Sequence, residues 1–301
     1  MKRFTLFCAI LLISCTAVNA QLLYRISGNG LKAPSYLVGT YHLAPPAFTD
    51  SIPGLREVLK EVAQVYGEID MAAMMQPANI QKMRQAMIMT DGTTLDKLLS
   101  PEEMTRLNAL LKELLGADLT HPVLAEQMLK LSPEAMINQL TSLMYLKRTP
   151  DFDPNSQIDS YLQKVARESK KKVGALETID EQLKILFGSI PYERQKVLLM
   201  CLVDNRQWTE QMVDDLVKAY FSQNMENIQA AFDEKMGTDC DATDEENHIL
   251  IDGRNEAWMK KLPAIMKTNA TLVAVGAGHL VGEKGLLAMM KNAGYTVEIV
   301  K

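Results

Sequence analysis

No stretch of this sequence repeats itself and no tract is compositionally simple, which excludes solenoid and low-complexity architectures. Glycine and proline are few, 16 and 12 in 301 residues, well below collagen-like or linker-like content. Positive charge is also short. With 32 Lys and Arg against 37 Asp and Glu, the net charge is −5, and the chain offers no electrostatic footprint for nucleic acid or an anionic membrane. The basic run Lys170–Lys172 is too short to make a nucleic-acid patch. No apolar run predicts a transmembrane segment, since Phe4–Ile13 holds about ten residues where a span needs about 20. Cysteines number four and none lies in a Cys-x-x-Cys pattern, which argues against thiol redox chemistry. What remains is an ordinary globular composition, 47% apolar and 23% charged, long enough for one large domain or two modest ones.

The N-terminus reads as a leader. Lys2 and Arg3 precede the apolar run Phe4–Ile13, and Val18-Asn19-Ala20 places small residues at the −3 and −1 positions before Gln21. This predicts a signal peptide over residues 1–20, a mature domain over 21–301, and export to a periplasmic or secreted location. Leu12-Ile13-Ser14-Cys15 also fits a lipobox, so a lipid-anchored form through Cys15 is the alternative. Beyond the leader only Cys201 and Cys240 remain. Export permits a disulfide between them, while the apolar helical face Val197–Val203 equally suits Cys201 as a buried free thiol.

Strand signals cluster at the two ends of the chain and helix signals fill the middle. Leu22–Ser27 and Ser35–Gly39 flank Gly28-Asn29-Gly30 and predict a β-hairpin. Pro53–Val62 predicts a helix and Ala63–Glu68 a short strand. From about residue 76 to about 170 the pattern is helical, with a capping box at Ser100-Pro-Glu-Glu103, a stop at Gly116, a start at Ser132-Pro133 and a helix over Asp159–Ser169. Lys171–Glu177 predicts a brief strand, and helices resume over about 179–262 around the charged loop Asp239–Glu246. Thr271–Val275 is a buried strand, Glu283–Asn292 a helix closed by Gly294, and Tyr295–Val300 a last strand, joined as a parallel crossover. The fold class is therefore α/β or α+β: a mixed sheet built from both chain ends with a large helical insertion. The 19 Met, against 7 Phe, read as filler for that helical middle. Met71, Met74, Met75, Met83, Met87 and Met89 point to packing or an adaptable peptide groove rather than a copper or heme site.

Two segments share a pattern that suits chemistry. Ser35–Gly39 leads to His42, and Leu272–Gly276 leads to His279, each an apolar strand followed by Gly-x-x-His-Leu. Glycine lets the chain turn off the strand, and the histidine falls just beyond its carboxyl end, where open α/β sheets gather ligands. Glu68 and Glu177 also follow short apolar strands. If the four strands are neighbours, His42, Glu68, Glu177 and His279 meet along one edge. Two imidazoles with carboxylates suit a divalent ion such as Zn²⁺, Mn²⁺ or Co²⁺, with a further carboxylate as general base. Each residue alone could equally be a hydrogen-bonded or capping group. His121, before Pro122, and His248, after Glu245-Glu246, read as solvated or capping histidines, and Asp70 as a solvated carboxylate.

Tyr36-Leu-Val-Gly-Thr-Tyr-His42 and Gly276-Ala-Gly-His279 together resemble the opening and closing motifs of the TraB/GumN family, whose animal relatives are the Tiki metalloproteases. Leu176-Glu-Thr-Ile-Asp-Glu-Gln182 is similar to that family's internal Leu-Glu-Thr-x-x-Glu-Gln signature, and Arg254-Asn255 before Trp258-Met259 is similar to its Arg-Asn-x-x-Met segment. The resemblance covers essentially all of the mature chain, in order. It implies a mixed α/β fold shared with erythromycin esterase-like and heme-uptake ChaN-like proteins, and a metal-dependent protease at the cell surface. It nominates His42, Glu68 and His279 as metal ligands or catalytic groups, and Glu177 as a further ligand or general base. Arg254 becomes an oxyanion or carboxylate clamp, with Asn255 and Gln182 as supporting hydrogen-bonders. The expected function is an exported metal-dependent hydrolase, a peptidase acting on peptide or protein substrates. Two alternatives stay open: a non-catalytic protein binding a peptide or heme-like ligand on the same scaffold, and a metal-independent esterase-like hydrolase with a histidine general base.

Overall fold

The computed structural model describes residues 22–90, 92–149, 153 and 156–301. The leader and cleavage site expected from the sequence, and Cys15, lie outside them. Six strands form one mixed sheet: β1 Leu23–Gly28, β2 Ser35–Thr40, β3 Gln64–Gly67, β4 Lys172–Ala175, β5 Thr271–Gly276 and β6 Tyr295–Ile299, in the order β4-β3-β5-β2-β1-β6. The first four in that order run parallel; β1 pairs antiparallel with both β2 and β6. Burial follows position. Central β2 is buried along its whole length and β5 nearly so, as continuous apolar runs require, whereas edge strand β6 alternates between covered and open residues. The predicted hairpin forms, and its turn is left-handed at Gly28, Asn29 and Gly30, with φ of 80°, 43° and 77°.

The crossover from β5 to β6 is parallel in direction, but the two strands are not neighbours: β2 and β1 lie between them. Periodicity specifies that a strand exists and says nothing of which edge it joins. Its helix is shorter than the sequence suggests, Leu286–Asn292, because Gly282 is left-handed and Gly285 is extended.

Helix ends sit where side chains can satisfy the free backbone groups. The Ser100 capping box opens Pro101–Leu115 and left-handed Gly116 closes it; Ser132 accepts from the Ala135 N–H at the start of Pro133–Arg148. These helices enclose a second core of Leu107, Leu111, Met136, Leu140 and Met144, separate from the core around the sheet. Tyr192–Asp204, from the later helical segment, completes it with Leu199 and Met200. Methionine fills this core where large aromatics are absent. Met71, Met74 and Met75 instead follow β3, and Met75 is exposed. Cys201 and Cys240 form a disulfide that ties the Tyr192–Asp204 helix to the loop before Thr243. Among the described residues no helix is long and apolar enough to cross a membrane.

Candidate functional site

The parallel part of the sheet delivers four side chains to one edge. Across β4, β3, β5 and β2 the strands end at Glu177, Glu68, His279 and His42 in turn. Glu68, Glu177 and His279 are buried, while the His42 side chain is 62% exposed. Neither glycine of the two histidine turns has a positive φ, and size matters at Gly39. Gly39 lies inside β2, and a Cβ there would meet the Ala277 Cβ at 3.1 Å, so its absence lets the two turns pack together. Gly276, at φ −50°, donates its N–H to Glu68 Oε1 at 2.8 Å.

Arg254 occupies the centre. It opens the helix Gly253–Thr268, directly after a π-helical turn, His248–Asp252, that widens the backbone where the helix reaches the sheet edge. Its Nη2 donates to Glu68 Oε2 at 2.5 Å and to Glu177 Oε1 at 2.6 Å; its Nε donates to Glu177 Oε2 at 3.1 Å. Its Nη1 reaches the Leu250 carbonyl at 3.3 Å and His279 Nε2 at 3.0 Å. All five N–H groups thus have protein acceptors. Glu177 also accepts from Gln182 Nε2 at 2.9 Å and Trp258 Nε1 at 3.3 Å, so both its oxygens are engaged. Gln182 reaches Glu68 Oε2 at 3.3 Å as well. Burial opposes the charge on Glu68, yet His279, His42, Arg254 and the Gly276 N–H outweigh it and hold the carboxyl at about 2.

The tautomer of His279 follows from Asn255. The Asn255 amide nitrogen donates to the carbonyls of His279 and Lys284 at 3.1 and 2.9 Å, which turns its oxygen toward His279 Nδ1 at 2.8 Å. Nδ1 therefore carries the proton, and Nε2 keeps a lone pair, 3.9 Å from Glu68 Oε1. Burial lowers His279 to about 4, against the pull of Glu68. The Trp258 ring covers it at 4.4 Å.

His42 is held differently. Its Nδ1 lies 3.0 Å from Asp159 Oδ2, and the other Asp159 oxygen accepts from Thr40 Oγ1 at 2.7 Å. The Asp159 carboxylate lifts His42 to about 9, against partial desolvation. Asp159 stands in the first turn of Ile158–Glu168, buried beside Ile158, Leu162 and Gln163. A carboxylate on the apolar face of a helix was the available signal for it, and a helix-start reading conceals that signal. His121 stands at the N-cap position of Pro122–Met128 without a side-chain capping bond and is exposed; His248 is exposed in the π-helical turn. Asp70 caps the helix after β3 and pairs with Arg167 at 2.6 Å.

His42, Glu68, Arg254 and His279 line one cavity of about 280 Å³. The donor chemistry suits a borderline divalent ion: two imidazoles, each tied through Nδ1 to a supporting group, and a charged carboxylate. The ligand atoms of His42, Glu68 and His279 do not all lie within 4.8 Å of one another, so the three are not gathered into a preformed ligand set. Among the described residues, the three ligand atoms within 4.8 Å of one another belong to Cys201, Asp239 and Cys240, whose sulfurs are spent in the disulfide.

The chain is similar to known proteins over most of its length. The chain is 23% identical over 304 residues to Metalloprotease TIKI2 of Xenopus tropicalis and 23% identical over 308 residues to Metalloprotease TIKI1 of Homo sapiens, with 88% of this chain covered in both. It spans 57% and 59% of those two relatives' lengths. No solved structure matches the chain. The family model for TraB/PrgY/gumN proteins matches residues 22–299, both histidine turns and everything between them, so the chain belongs to the TraB/PrgY/gumN family.

Proposed function

We propose that this protein is an exported metal-dependent hydrolase that cleaves peptide bonds in the cavity at the carboxyl edge of β3, β5 and β2. The observation that carries this reading is the pair of strand-end histidines, each fixed through Nδ1, facing one cavity beside a charged Glu68. The metalloprotease relatives support the same chemistry. His42 Nε2, His279 Nε2 and a Glu68 oxygen would hold the ion, provided Arg254 Nη1 releases the His279 Nε2 lone pair that it occupies here. A divalent metal there would polarise the scissile carbonyl and activate water.

The chain's own residues supply the rest. Asn255 fixes His279 as the tautomer whose Nε2 faces the cavity. Asp159 and Thr40 orient His42, which must lose its Nε2 proton to ligate. Arg254, bound to both carboxylates, holds Glu68 and Glu177 in place; Glu177 and Gln182 in turn hold Arg254 and Glu68 rather than exchanging protons with substrate. Outside the cytoplasm the Cys201–Cys240 disulfide would persist.

The test is cleavage of a peptide library by chelator-stripped protein and after addition of Mn²⁺, Co²⁺ or Zn²⁺. Activity should vanish on chelation and return with one of these ions. A second reading is favoured by the His42–Asp159 pair, which resembles a general-base dyad. Chelator-resistant hydrolysis that climbs toward pH 9 and is abolished by His42→Ala would select it instead.

A further inference from the structure

The next inference rests on the hydrolase reading and concerns what the cavity selects. Its floor is charged, but every charge is already matched, Glu68 by Arg254 and His42 by Asp159, while the neutral His279 Nε2 accepts from Arg254. Its walls are apolar. Leu186, Leu216, Phe232, Leu250 and Ile251 arrive from four separate helical segments. A charged side chain entering here would shed water and meet no free counter-charge, whereas an apolar one would bury its surface against these walls. At 280 Å³ the space is at the small end of ligand cavities, which suits one side chain rather than an extended ligand.

Phe232 is the distinctive wall. It is 49% exposed, a large aromatic left open at the end of the helix Met225–Asp233. Its ring lies against Gly278, where a Cβ would approach Phe232 Cζ to 2.5 Å. Gly278 immediately precedes His279, so the aromatic wall is registered to the turn that carries the catalytic imidazole. A smaller residue at 232 would open the cavity to solvent; a larger one at 278 would push the ring aside.

We propose that this cavity is a specificity pocket for one large apolar side chain, of leucine or phenylalanine type, next to the bond that is cut, and that Phe232 sets the pocket's size. The probes are Gly-Gly-X-Gly-Gly amides with X as Leu, Phe, Ala, Asp or Lys. Their binding to the metal-free full chain is measured by calorimetry, and their cleavage by the metal-loaded protein is measured as kcat/KM. Leu and Phe should bind and react about 100-fold better than Ala, with Asp and Lys poorest. Phe232→Ala should shrink the Leu-to-Ala ratio about tenfold. Gly278→Ala, which displaces only the far end of a flexible side chain, should shrink it in the same direction. The same ratio in Phe232→Ala and wild type, equal handling of Asp or Lys, or no binding of any peptide overturns the pocket. Apolar preference in binding without cleavage under any metal would sink the hydrolase reading and keep the pocket; cleavage without preference would do the reverse.

Discussion

His42 and His279 each stand three residues after a glycine at the end of neighbouring parallel strands, and their surroundings differ in almost every respect. His279 is buried under Trp258, fixed by a neutral amide and pushed toward about 4. His42 is mostly exposed, fixed by a carboxylate and lifted to about 9. A motif places the ring; the group behind Nδ1 decides which charge state it holds near neutrality. One edge of the sheet thus holds a neutral donor and a cationic one within the same cavity.

The buried side of this contrast should break hardest. Arg254→Ala leaves Glu68 and Glu177 buried without their cation, and urea unfolding should show a loss of about 3–5 kcal/mol. A loss below about 1 kcal/mol would mean that the carboxylates are not charged together, against the pairing described above.

A smaller effect separates the two rings by pH in the metal-free protein. His279 has a depressed value when folded, so the unfolded chain takes up a proton first and stability falls as pH drops from about 6.5 to about 4. His42 has a raised value when folded, so its contribution is complete below about 6.5 and is lost as pH rises toward about 9. Glu134, lifted by burial to about 7, adds a loss of its own as pH rises from about 4.5, so the two histidines are separated by comparing variants. His279→Ala should flatten the acid limb and His42→Ala the alkaline limb; the converse pattern would refute the assignment.

The least disruptive change is Asp159→Asn, which keeps the hydrogen bond and removes the charge. The His42 ring, followed by NMR titration, should fall from about 9 toward its ordinary 6.5. An unmoved value would mean that Asp159 is not the group that lifts it.

Much of this edge was legible beforehand because the rule that reads it is local. An apolar run followed by Gly-x-x-His, or ended by a glutamate, defines a strand end wherever the strand lies, and His42, His279, Glu68 and Glu177 were found in these two ways. What stayed hidden depends on partners distant in sequence. Nothing in Tyr295–Ile299 says that it joins β1 rather than β5. Asp159 reads as an acidic first turn, a common and innocent position, until β2 is laid against it. The π-helical turn before Arg254 is continuous with helix in the sequence, and only Gly253, where a Cβ would lie 2.9 Å from the His248 carbonyl, marks it. The glycines were found for the wrong physical reason: Gly39 admits Ala277 rather than turning the chain.

The central claim is that these two unlike histidines and Glu68 hold one divalent ion. Titrating Co²⁺ into the metal-free protein and recording its visible absorption tests this without a substrate. One equivalent should bind, with a band that His42→Ala, His279→Ala and Glu68→Gln each abolish or shift. Identical Co²⁺ spectra in wild type and all three variants, or no binding in any of them, would contradict it.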